Sequence, residues 1–128
     1  MNLVDVVAML ALLQYIVFSA LVGRARIQYG VRAPAVTGNE HFERRYRVQM
    51  NTLELLVAFL PALYVAARYW PASFVAAAGA VFLVGRFIYW RAYLADPDRR
   101  SLGFGLSILP VFALVVSALA GALMASTA

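Results

Sequence analysis

Residues 102–125 read LGFGLSILPVFALVVSALAGALMA, with no charged side chain anywhere in the run. A helix crosses the hydrocarbon core of a bilayer with about 20 mostly apolar residues, and this stretch is long enough. Backbone amides in lipid have no water to pair with, so such a segment must satisfy its own hydrogen bonds as a helix. The period-two alternation of a lipid-facing barrel strand is absent. Three upstream stretches have the same character. They cover about residues 3–22, interrupted only by Asp5 and Gln14, then about 48–69 and about 71–94. The expected fold class is all-α, an integral membrane four-helix bundle, with residues 1–128 forming a single domain.

Composition points the same way. The 128 residues are 64% hydrophobic and 13% charged, with a mean hydropathy of +0.79. A soluble domain has about 45–50% apolar and about 25% charged residues, so this chain has more apolar surface than its own core can hide. The basic residues number 11, all of them arginine, against 6 acids, a net charge of +5. That balance in a soluble protein raises the question of nucleic acid. Here the arginines flank apolar runs and no nucleic-acid-binding module is present, so membrane orientation is the simpler reading and no nucleic-acid partner is expected. Without cysteine the chain has no disulfide and no thiolate metal site, and thiol chemistry would have to come from a substrate. The single histidine, His41, cannot hold a metal alone.

The first segment lacks the basic start of a signal peptide, and Arg24 and Arg26 follow it, so it reads as a span. Thr37 with Glu40 resembles a capping box that would start the second helix near residue 38. Pro71 suits a first helical position in the third. Pro61 and Pro110 lie within spans and should kink them. Arg24, Arg26, Arg32, Arg44, Arg45 and Arg47 surround the first loop, and Arg91, Arg99 and Arg100 surround the third, whereas the opposite side has only Arg68. The bias predicts loops one and three in the cytoplasm and both termini on the other side.

A charge at the centre of a span costs about 2.5–3.5 kcal/mol on insertion scales, so it faces protein or water. The second span carries Arg47, Gln49, Asn51 and Glu54. At about 100° per residue, Arg47, Asn51 and Glu54 fall within roughly 60° of one another on one helix face. Arg86, Tyr89 and Tyr93 share a face of the third span. Both sets lie toward the arginine-rich ends of their helices, at one depth, and together predict a polar pocket of guanidinium, carboxylate, amide and phenol groups. Blander readings stand beside this one. Glu54 paired with Arg47 or Arg86 would merely fix helix packing. Tyr89 and Tyr93 would join an interfacial aromatic belt, for which Trp70, Tyr69 and Trp90 are better candidates. Arg44 and Arg45 read as solvated or headgroup-facing. Ser117 with Gly121, and Ala76, Gly79 and Ala80, offer small surfaces for helix contact.

The run Phe42-Glu43-Arg44-Arg45-Tyr46-Arg47-Val48-Gln49-Met50-Asn51-Thr52-Leu53-Glu54 closely resembles the signature of the MAPEG family, the membrane-associated proteins in eicosanoid and glutathione metabolism. Residues 33–38 (APAVTG) resemble the family's first loop, and 85–93 (GRFIYWRAY) its third helix. The resemblance is to the microsomal glutathione transferase and leukotriene synthase branches. It implies a homotrimer of four-helix subunits, with glutathione bound between neighbours near the cytoplasmic face. Arg47, Asn51 and Glu54 match positions that hold the peptide, as do Gln49, Arg26, Arg86, Tyr89 and Tyr93. Arg100 matches the arginine that stabilises the glutathione thiolate, with Arg99 the alternative if the loop shifts by one. Ile27 and Leu55 depart from the leukotriene-synthase pattern, which has a second arginine and a tyrosine there.

The chemistry suits the implied ligand. Arginines grip carboxylates through paired charged hydrogen bonds. Glu54 can take the ammonium, and the amides and phenols can serve the peptide groups. A thiolate stabilised by Arg100 would attack a lipophilic electrophile or hydroperoxide arriving from membrane lipid, with no metal or bound redox cofactor, glutathione being the co-substrate. Two rivals are a non-catalytic relative that binds a lipid or a partner, and a small four-span transporter. The transporter reading is weakened because the first span has no acid deeper than Asp5.

Overall fold

The computed structural model describes residues 1–126. It has four long helices, each long and apolar enough to cross a membrane: α1 (Leu3–Tyr29), α2 (Glu40–Tyr69), α3 (Ala72–Ala95) and α4 (Ser101–Ser126). A single 3-10 turn, Pro97–Arg99, joins α3 to α4. No strand occurs among the described residues.

Local chemistry sets the ends. Asn2 caps α1, its side chain accepting from Asp5 N at 3.1 Å. Gly30, at φ +70°, closes α1 in the left-handed conformation that suits glycine. The helix therefore runs about two turns past the apolar limit near residue 22 and includes Arg24 and Arg26. The capping box expected at Thr37 and Glu40 is not used. Gly38 turns the chain at φ +125°, and Asn39 becomes the cap, accepting from Phe42 N at 3.1 Å. Glu43 reaches back to Gly38 N at 3.1 Å. Pro71 is the cap of α3 rather than its first residue. Helices α2 and α4 run on through Pro61 and Pro110.

The core lies where all four helices meet. Phe59 of α2 stacks on Phe82 of α3 with ring centroids 4.0 Å apart, and Leu63, Val75 and Leu114 are fully buried around them. Glycine brings helices together at specific levels. A side chain at Gly103 would stand 2.4 Å from Tyr89 N, and one at Gly85 2.6 Å from the Leu106 carbonyl carbon, so α3 and α4 touch backbone to backbone there. At the other end Gly121 lies against the Tyr69 side chain, and Trp70 Nε1 donates to Ser117 O at 2.7 Å. Trp70 is thus a clasp between helices rather than a free belt residue. Met9, Leu13 and Ile16 of α1 and Leu109, Phe112 and Leu119 of α4 point outward. Hydrocarbon, not water, is the solvent that such a surface tolerates.

Candidate functional site

Loops one and three lie at the same end of the bundle. Thr37 of the first loop, Glu43, Arg44 and Arg47 of α2, Tyr93 of α3 and Pro97 beyond it line a cavity of about 300 Å³. The fold brings these groups together because α2 enters from loop one where α3 leaves toward loop three. Arg44 ties the two helices. It donates to Leu94 O at 3.0 Å and Ala95 O at 3.3 Å, capping the end of α3, and pairs with Glu40. Its side chain is only 18% exposed, so it is a structural strut rather than the solvated residue expected.

The sequence-derived set divides in space. Arg47 and Glu54 are exposed on the open face of α2, and neither makes a hydrogen bond or ion pair among the described residues. The packing ion pair to Glu54 is therefore absent. Asn51, half-buried, sits beside them and turns inward, accepting from Arg86 Nη1 at 2.7 Å. Tyr89 is buried and stacks on Tyr93 at 5.4 Å between centroids. Tyr89 thus belongs to the interior, not to a belt. Tyr93 reaches the cavity beside Arg47.

Three further residues serve the chain itself. Gln49 Nε2 donates to Ser19 Oγ at 3.0 Å and holds α2 to α1. Arg26 Nη1 donates to Ala35 O at 2.7 Å and lies 4.8 Å over the Phe42 ring, which folds the first loop onto α1. Arg86 has no exposed surface; it lies behind the site, 4.3 Å from the Tyr89 ring, with Asn51, Thr52 and Ser107 as its hydrogen-bond partners. The sequence places Arg86 among the ligand-binding residues; in the single chain its side chain is turned to protein on every side. The reason is packing: Gly85 and Gly103 draw α4 so close that the Arg86 side chain is enclosed.

Arg100 stands at the N-terminal end of α4, its carbonyl accepting from Phe104 N at 2.9 Å. Its side chain is exposed and donates to Pro97 O at 3.2 Å, at the rim of the cavity. Arg99 instead faces Asp96 at 3.9 Å. Of the two, Arg100 has the guanidinium without a carboxylate, and it sits where helix α4 presents its positive dipole end. Ile27 is 87% exposed beside Arg26, and Leu55 is buried in the core.

Two polar residues escaped sequence reasoning. Thr52 and Ser107 are fully buried and both accept from Arg86. The available signal was their polarity inside a span, weak because serine and threonine satisfy themselves on the preceding turn.

The MAPEG family model matches residues 4–120. The chain belongs to the MAPEG family. Uncharacterized protein sll1147 of Synechocystis sp. is 49% identical over 110 residues, covering 86% of this chain and 80% of that protein. Human microsomal glutathione S-transferase 2 is 38% identical over 106 residues, 83% of this chain and 72% of the human one. Leukotriene C4 synthase of Bos taurus is 33% identical over 117 residues, 91% of this chain and 78% of the bovine one. The MAPEG match takes in α1 but for its first residue, α2 and α3 entire, and most of α4.

Proposed function

We propose that this MAPEG member is a membrane-bound glutathione transferase, acting also as a peroxidase, whose homotrimer builds each site between adjacent subunits. One observation carries the reading: Arg47 and Glu54 stand unpaired on the open face of α2, one of each sign, beside Asn51. A charge on a span face needs protein, water or an opposite charge against it. A zwitterionic peptide supplies the opposite charges, and a neighbouring subunit covers the face. Glutathione fits, with carboxylates for Arg47 and its ammonium for Glu54. The names of the relatives support the ligand class.

Arg100 is the thiolate stabiliser in this reading. A free thiol of pKa about 8.5 is only a few per cent ionised at neutral pH. The bound sulfur anion attacks a lipophilic electrophile dissolved in the bilayer, a carbon–sulfur bond forms, and the leaving group departs with its electron pair. With a hydroperoxide the sulfur attacks the outer oxygen, which keeps its hydrogen, the O–O bond breaks, and the alkoxide takes a proton from water and leaves as the alcohol. A second glutathione then reduces the sulfenic product to disulfide and water. Loops one and three face the cytoplasm, where glutathione enters. The test is purified oligomer given glutathione with a chloronitrobenzene or a lipid hydroperoxide. Conjugate with released chloride, or alcohol with glutathione disulfide, is expected. Bound glutathione without turnover of either substrate would make the protein a non-catalytic binder.

A further inference from the structure

Arg86 is the one charged side chain among the described residues with no exposed surface. It sits at the junction of three helices. Its Nε donates to Ser107 Oγ of α4 at 2.8 Å, and its Nη1 to Asn51 Oδ1 at 2.7 Å and Thr52 Oγ1 at 3.2 Å, both on α2. All three acceptors are neutral, and no acid lies within ion-pair distance of it among the described residues.

The direction of every bond in this group is settled by chemistry. A guanidinium has only donors. The Ser107 hydroxyl spends its single hydrogen on Gly103 O at 2.7 Å, so toward Arg86 it can only accept. Thr52 does the same with Val48 O at 2.8 Å. The amide of Asn51 therefore has no choice of orientation. Its oxygen faces Arg86, which leaves its NH2, without a partner among the described residues, free to donate from the arc of α2 that also carries Arg47 and Glu54. The backbone contacts at Gly85 and Gly103 hold α3 and α4 at the distance that this geometry needs.

We infer that Arg86 and Ser107 are positioning residues that lock Asn51 as a pure hydrogen-bond donor, so that this position reads an acceptor oxygen of the bound peptide, a carbonyl or carboxylate, and rejects a donor. This rests on the glutathione reading above. Ser107 thereby joins the binding apparatus from the uncharged fourth helix, without touching the ligand.

Asn51→Asp separates positioning from mere packing. An aspartate keeps an oxygen for Arg86 and adds the missing counter-charge, so the ligand-free oligomer should melt at or above the wild-type temperature. Its outward atom, however, is now an anionic acceptor facing an acceptor, and glutathione affinity should fall at least tenfold by calorimetry. Equal or tighter binding of glutathione to Asn51→Asp would overturn the inference. Ser107→Ala removes the acceptor on α4 and should raise KM for glutathione about three- to tenfold with kcat nearly unchanged, and Ser107→Thr should restore KM. An unaltered KM in folded Ser107→Ala overturns the part assigned to Ser107; if that variant does not assemble, Asn51→Asp decides alone. Failure of the underlying reading looks different: the wild-type oligomer itself would bind no glutathione at millimolar concentration, and the assignment of a peptide acceptor would fall with it.

Discussion

The two ends of the bundle are held together by close packing and polar ties in different proportions. At the end with the termini, helices meet mainly through small residues and rings, Gly79 against Val7 and Gly121 against Tyr69, with two polar ties, Trp70 to Ser117 O and Tyr64 to Asp5 at 3.0 Å. At the end with loops one and three, the close approach at Gly85 and Gly103 is accompanied by polar ties that reach deep between the helices. Arg44 grips the end of α3, Gln49 grips Ser19, and Arg86 spans α2, α3 and α4. Close packing is the cheaper way to join helices in lipid, since polar ties in membranes are worth about 0.6 kcal/mol on average. A buried guanidinium with three neutral acceptors and an unpartnered Nη2 is a poor choice for stability alone. The contrast teaches that the loop end gives up stability for a polar surface, which makes sense if that surface binds something charged.

Two substitutions of similar size break the comparison most directly. Phe59→Ala empties the fully buried place against Phe82. It should cost about 3 kcal/mol, the low end for truncating a buried phenylalanine, because lipid removes much of the water-transfer part. Glutathione affinity of the remaining folded oligomer should be unchanged. Arg47→Ala should do the reverse. Arg47 is exposed and unpaired in the chain, so thermal stability should move by no more than about 0.5 kcal/mol. Glutathione binding should weaken by about 2–5 kcal/mol where the lost pair was desolvated. Calorimetric binding set beside thermal melting reads both. If Arg47→Ala melts early and binds normally, the loop end is packing after all.

The next effect is in the pH dependence of the thiol. A lowering by about two units needs roughly 2.7 kcal/mol of preferential interaction with the anion. A group whose pKa is lowered on binding makes binding tighten as pH rises from the lowered value to the free one. Glutathione affinity should therefore rise between about pH 6.5 and about pH 8.5, with proton release on binding at pH 7. In Arg100→Ala the thiolate absorbance should move back toward the free-thiol midpoint while peptide binding largely remains. A thiolate signal with the wild-type midpoint in Arg100→Ala would remove Arg100 from that role.

Much of this was legible in the sequence, and the limits have physical causes. The four spans follow from apolar length, since lipid leaves a segment such as 102–125 no alternative to a helix. The helical ends beyond the bilayer were less legible, because Gly38 rather than Thr37 decides where α2 begins, and a positive φ leaves no mark on hydropathy. Face-sharing within one helix was readable: Tyr89 and Tyr93 do stack. Depth along the third dimension was not. Arg47, Asn51 and Glu54 lie within one arc of α2, yet Asn51 turns inward to Arg86 while the other two face out. A helical wheel gives angles; it cannot say how closely the neighbouring helix approaches, and the two glycines that close α3 on α4 set that distance for Arg86.

The smallest expected effect concerns Gln49, which belongs to the packing or to the ligand but spans the two in the same place. In the free chain its Nε2 is committed to Ser19 Oγ, and that hydroxyl donates onward to Tyr15 O at 3.0 Å. Ser19→Ala deletes the acceptor and should lower thermal stability by about 1 kcal/mol, the usual net worth of one hydrogen bond. It also releases the Gln49 amide. If Gln49 contacts the bound peptide, the release removes a competitor, and glutathione affinity should rise by a few fold in Ser19→Ala and be lost again in the double variant with Gln49→Ala. An affinity that stays level in both would leave Gln49 as a tie between α1 and α2, and the ligand face would then consist of Arg47, Asn51, Glu54 and Tyr93 with the arginine at the start of α4.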